Sequence, residues 1–165
     1  MTMTTATGTA EIKGTAVKEA GVVVWIHGDH LSAANPALTQ YPDAPVIFVF
    51  DETFLREAGL AFHRLFFIYE SVTEIFAARA PGTCTLRRGN VTEEVASFAR
   101  QHETRRIITT ETIGDRFAEH VQEMEAAGLA VRAVPVPSLV AYEGGRVPKR
   151  FSVWWRDVEA EALRP

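Results

Sequence analysis

A chain of 165 residues, 47% hydrophobic and 23% charged, holds enough apolar material for one core but is short for two. Its formal net charge of -4 argues against a surface built chiefly to neutralise nucleic-acid phosphates, which needs clustered Lys and Arg. A lone cysteine, Cys84, excludes an internal disulfide, no apolar run reaches the roughly 18 residues of a bilayer span, and no basic segment followed by an apolar stretch opens the chain. The expectation is a cytoplasmic protein that makes no direct contact with membrane or nucleic acid.

Residues 1–20 are rich in Thr, Ala and Gly and lack periodicity, so they read as a mobile leader before a single domain spanning 21–165. Short β-rich runs follow at Val22–Ile26, Val46–Phe50, Cys84–Arg87, Arg106–Thr109 and Ala130–Val134, each bounded by Gly, Pro or polar residues. Such runs, nearly continuous in apolar character, suit strands covered on both faces. Between them the period shifts to about 3.6. The stretch Leu60–Ala78 sets Leu65, Ile68, Val72 and Phe76 on one stripe. Asn90 with Glu93 forms an N-cap and N3 pair for a helix through His102, and Asp115 opens another that Gly128 is placed to end. Strand and helix in alternation predict parallel pairing with right-handed crossovers, giving a three-layer, doubly wound, five-stranded sheet of Rossmann-like or flavodoxin-like type. After Val134 the breakers Pro135, Pro137, Gly144, Gly145 and Pro148 lead to an aromatic helical tail, Phe151–Leu163.

Ligands of open parallel sheets bind outside the carboxyl ends of the strands, near the point where strand order reverses. Three polar loops qualify: His27-Gly28-Asp29-His30 after the first strand, Asp51-Glu52 after the second, and Thr110-Glu111-Thr112-Ile113-Gly114 after the fourth. Asp29 and Asp51 suit equally well the capping of helices or turns. His27 and His30 have the spacing of a metal-binding pair, but the further ligands that zinc requires are not evident, so no metal is expected. Neither G-x-G-x-x-G nor a P-loop occurs, Asp29 interrupts an H-x-G-H pattern, no nucleophile elbow is present, and Cys84 lies in a strand-like run as an inert thiol. Trp25, Tyr142, Phe151, Trp154 and Trp155 fit either core packing or stacking on a flat ring.

Read from Val24, the stretch Val24-Trp25-Ile26-His27-Gly28-Asp29-His30-Leu31-Ser32-Ala33-Ala34-Asn35-Pro36-Ala37-Leu38 resembles the opening of DNA photolyases and cryptochromes, roughly V-W-F-R-x-D-L-R-x-x-D-N-P-A-L. Pro45–Asp51 is similar to the family's second strand, Arg64 with Phe67 and Glu70-Ser71 to its R-x-x-F-L-x-E-S-L helix, and Arg88-Gly89-Asn90 with Glu93-Glu94-Val95 to its R-G-D-P-x-E-V segment. Phe151-Ser152-Val153-Trp154-Trp155 is similar to the turn leading out of that domain, so the resemblance spans residues 22 to 158. It departs where the arginines of R-x-D-L-R are His27 and Leu31, where Ala34 precedes Asn-Pro, and where Thr110-Glu111-Thr112 replaces N-x-x-Y-E-P. Gly28-Asp29-His30-Leu31-Ser32 instead looks like the G-D-Q-L-S of a bacterial branch.

The resemblance implies an α/β antenna domain without the helical domain that carries FAD and the DNA lesion, and hence no photorepair by this chain alone. It implies a non-catalytic module for a flavin, deazaflavin, folate or nucleotide-like molecule. The expected ligand-binding residues are His27, Gly28, Asp29, Asn35, Phe50, Asp51, Glu52, Thr110, Glu111 and Thr112. The alternative is an interaction domain that self-associates or joins a separate helical partner, with Trp154 and Trp155 as contacts.

Overall fold

In the computed structural model, which describes residues 21–140 and 148–163, the five apolar runs form five strands. The expected leader at 1–20, together with Tyr142, Gly144 and Gly145, lies outside the described residues. The chain divides into two compact units, Met1–Val134 and Pro135–Pro165.

The first unit runs β1 (Val22–Ile26), α1 (Pro36–Gln40), β2 (Val46–Asp51), α2 (Glu52–Ala58), α3 (Phe62–Ala77), β3 (Cys84–Gly89), α4 (Val91–Gln101), β4 (Arg106–Thr110), α5 (Asp115–Ala126) and β5 (Ala130–Val134). All four strand pairings are parallel, in the order β3-β2-β1-β4-β5. Val24 of β1 sits opposite Val46 on one side and Ile108 on the other. The chain winds outward from β1 to β3, then returns to the far side of β1, so strand order reverses between β1 and β4. This is the Rossmann-type order and not the flavodoxin one.

Alternation along β1 feeds two cores, because successive side chains of a strand point to opposite faces. Val22, Val24 and Ile26 join Leu38 of α1 and Val72 and Ile75 of α3 on one face. Val23 and Trp25 join Val95 and Phe98 of α4 and Met124 of α5 on the other. Both faces of β1 are thus covered and it is buried at every position, whereas the edge strand β5 leaves three of its five residues exposed.

Helix ends follow local chemistry. Asn90 Oδ1 accepts from the Glu93 amide at 3.0 Å and caps α4. At the end of α5 the Gly128 amide donates to the Glu125 carbonyl (2.9 Å) and the Leu129 amide to that of Met124 (3.0 Å), the paired bonds of a Schellman closure. The helical stretch expected from Leu60 is preceded by a separate helix, α2, which Gly59 ends at φ 54°. Within α3, Val72 is buried, and Ile68 and Phe76 pack on the same cluster.

In the second unit the aromatic tail is α6 (Phe151–Ala162), where the Phe151 ring stacks on Trp155 with centroids 5.6 Å apart and planes at 20°.

Gly128 sits at φ 82° with no atom within 4 Å of where a Cβ would lie, so an added methyl group meets backbone strain alone. Gly128→Ala is expected to lower stability by about 1–2 kcal/mol, read as a lower urea midpoint at unchanged slope.

Candidate functional site

At the reversal between β1 and β4 the protein bonds to itself. Asn35, buried to 1% exposure, caps α1: its Oδ1 accepts from the amides of Ala37 (3.0 Å) and Leu38 (3.2 Å) and from the Thr110 hydroxyl (2.7 Å). Its Nδ2 donates to the His30 carbonyl at 2.9 Å, which holds the first loop against the cap. His27 Nε2 bonds to the Thr110 carbonyl at 2.8 Å. A carbonyl can only accept, so Nε2 carries the proton and Nδ1 carries the lone pair. Asn35 and Thr110, both expected to hold a ligand, instead tie the two central strands together.

A pocket opens beside this lock, over the carboxyl ends of β1 and β2, with a cavity volume of about 140 Å³. Of the expected residues, His27, Gly28, Asp29, Phe50 and Asp51 line it. Asn35, Glu52, Thr110, Glu111 and Thr112 do not. Glu52 is taken up by Arg88 at 3.1 Å and Arg56 at 3.5 Å. Glu111 is exposed, and its amide bonds to the Val134 carbonyl of β5.

One wall is aromatic. Trp25 and Phe117 lie nearly parallel, 10° between planes and 5.9 Å between centroids, while His120 meets Trp25 edge-on at 6.1 Å. The Arg116 guanidinium lies 3.6 Å from the centre of the Phe54 ring, well inside cation–π range. Asp51 serves two partners: Oδ1 caps α2 through the Phe54 amide (3.1 Å), and Oδ2 lies 3.4 Å from His120 Nε2. Arg64 of α3 completes the charged lining, and among the described residues no hydroxyl, thiol or amine side chain lines the pocket.

Reading the sequence missed Arg116, Phe117 and His120 as a group. The available signal was their spacing, since residues three and four apart on α5 share a face, and α5 begins directly after the fourth-strand loop. A second hollow of about 530 Å³ lies between the first loop and α3. Its arginine, Arg79, is committed to the Tyr41 and Ala44 carbonyls, and the rest of its lining is mostly aliphatic or small.

Among the described residues no group of three or more His, Cys, Asp or Glu side chains could hold a metal ion, and no helix is long and apolar enough to cross a membrane. The sequence matches no protein-family model and no curated protein.

Burial pushes the His27 imidazole below its ordinary range, against the opposing pull of its bond to Thr110 and of nearby Asp29. The unfolded chain then takes up this proton first as pH falls through about 6.5, so His27 contributes stability above that pH and loses it progressively below. The melting temperature is expected to drop between neutral and mildly acidic pH, and to drop less in His27→Gln, whose amide can still donate to Thr110. Removing the lock has a larger effect: Asn35→Ala strands buried donors and a cap and is expected to cost about 3 kcal/mol or more in urea unfolding.

Proposed function

We propose that this chain is a non-catalytic binding module that holds one flat ring of a flavin-, deazaflavin-, folate- or nucleotide-like molecule in the pocket over β1 and β2. The observation that carries this reading is the composition of the lining: the rings of Phe50, Phe54 and Phe117 stand together with the carboxylate of Asp29 and the positive charges of Arg64 and Arg116. The size agrees. A cavity of about 140 Å³ matches the roughly 150 Å³ that suffices to enclose a single benzene ring, so the remainder of a larger ligand would extend past the rim. The ordered likeness to photolyase antenna domains supports the same reading, because Trp25, Asp29 and Arg64 of the resembling segments all line the pocket.

A second reading, an interaction domain that self-associates or joins a helical partner, is favoured by α3. Phe62, Phe66, Phe67 and Tyr69 on this helix are 78%, 45%, 67% and 48% exposed. Large aromatic side chains grouped in this way mark contact surfaces more often than solvated ones. A Phe62→Glu and Phe66→Glu double variant is expected to lower the mass measured by light scattering if the chain pairs through this helix, and a strict monomer at all concentrations would remove the self-association.

For the first reading the check is thermal. With a ligand at a hundredfold excess over its Kd the melting temperature is expected to rise by roughly 5–10 °C. The ligands to compare are FMN, a reduced folate and purine nucleotides, alongside absorption of the purified protein between about 350 and 500 nm, where flavin-type rings absorb. Arg116→Ala should weaken the response without unfolding the chain, since the residue is exposed. A protein that is colourless and unmoved by every one of these rings would end the proposal.

A further inference from the structure

Two hydrogen-bond acceptors stand side by side in the pocket without a donor between them. His27 Nδ1 is buried, has no hydrogen-bond partner, and lies 3.6 Å from Asp29 Oδ2. Since Nε2 is committed as donor to the Thr110 carbonyl, a neutral His27 presents a lone pair toward a carboxylate. The imidazole is held neutral by its burial, so it does not supply the missing proton itself. A buried acceptor left in this state is costly, and any group that brings N–H bonds to the pair is favoured beyond its shape.

We propose that the pocket selects a guanine-type ring edge, a ring N–H beside an exocyclic amino group, whose paired donors bond to the Asp29 carboxylate beside His27 Nδ1, with a phosphate-bearing tail directed to Arg64 and Arg116. The inference rests on the reading of this pocket as a ring site and narrows it to a chemical class. The two N–H bonds of such an edge run nearly parallel and match the two oxygens of one carboxylate. An adenine edge sets an acceptor beside its amino group and so turns a lone pair toward the carboxylate. A hypoxanthine edge has the ring N–H and lacks the amino group. Phe50, Phe54 and Phe117 are among the rings that line the space. Asp29 is 56% exposed through its side chain, so its carboxylate is open to an incoming ligand and its replacement leaves the core untouched.

Titration calorimetry of the full chain with GMP, IMP, AMP and FMN separates the possibilities. GMP is expected to bind at least about tenfold more tightly than IMP or AMP, the worth of a hydrogen bond to a charged group. Asp29→Asn should erase the difference between GMP and IMP while leaving the melting temperature of the free protein in place. Equal binding of GMP, IMP and AMP, or binding of FMN alone, would overturn the donor-edge inference and leave the ring-binding pocket standing. If none of the four binds, both fall together.

Discussion

The bond network joining Asn35, Thr110 and His27 is the constraint on which the rest of this architecture depends. Strand order reverses between β1 and β4, so the crossover connections diverge there and leave a gap at the carboxyl ends of the two central strands. In this chain the gap is closed from within. Asn35 Oδ1 takes three donors from two elements, and Thr110 contributes both its hydroxyl and its carbonyl. Each of these groups is buried, and buried polar groups are stabilising only as a completed set. The short helix α1, only five residues long, would be marginal without that cap.

Closing the reversal point displaces the open space to one side. The pocket lies over β1 and β2, where α2 begins at Asp51 and α5 leans its first turns across Trp25. The lock still governs its chemistry, because the proton that His27 donates to Thr110 fixes the tautomer and turns the remaining nitrogen into an acceptor. A residue at the reversal point thus sets the polarity of a site formed beside it.

The strands were legible because each is a short apolar run with a breaker on either side, and β1 is buried on both faces at all five positions. The cap at Asn90 and the glycine at Gly128 were legible because their chemistry is local. α2 was not, since its seven residues bury no side chain and so carry no apolar stripe to read. The candidate site divides in the same way. Residues at or just past a strand's carboxyl end, such as Asp51 and His27, are placed by chain order alone. Arg116, Phe117 and His120 reach the pocket only through the angle at which α5 packs, which depends on Met124 and Val121 meeting a core assembled from distant segments. Asn35 and Thr110 show the converse: polar and at the right end of the sheet, they satisfy the rule for ligand residues, yet both are bonded within the protein and neither lines the pocket.

This division bears on what the likeness to photolyase antenna domains can carry. Asn35-Pro36-Ala37-Leu38 matches the pattern best, and every feature of it has an internal use here: the cap, a proline in the first turn of α1, and two apolar residues in the core. Asn90 and Glu93 likewise open a helix. Any chain that builds this sheet with this lock needs such residues whatever it binds, so these matches speak for the fold. Trp25, Asp29 and Arg64 line the pocket. Beside them His27 places an imidazole where the photolyase pattern has an arginine. An arginine offers only donors, whereas His27, with its one proton spent on Thr110, offers only an acceptor.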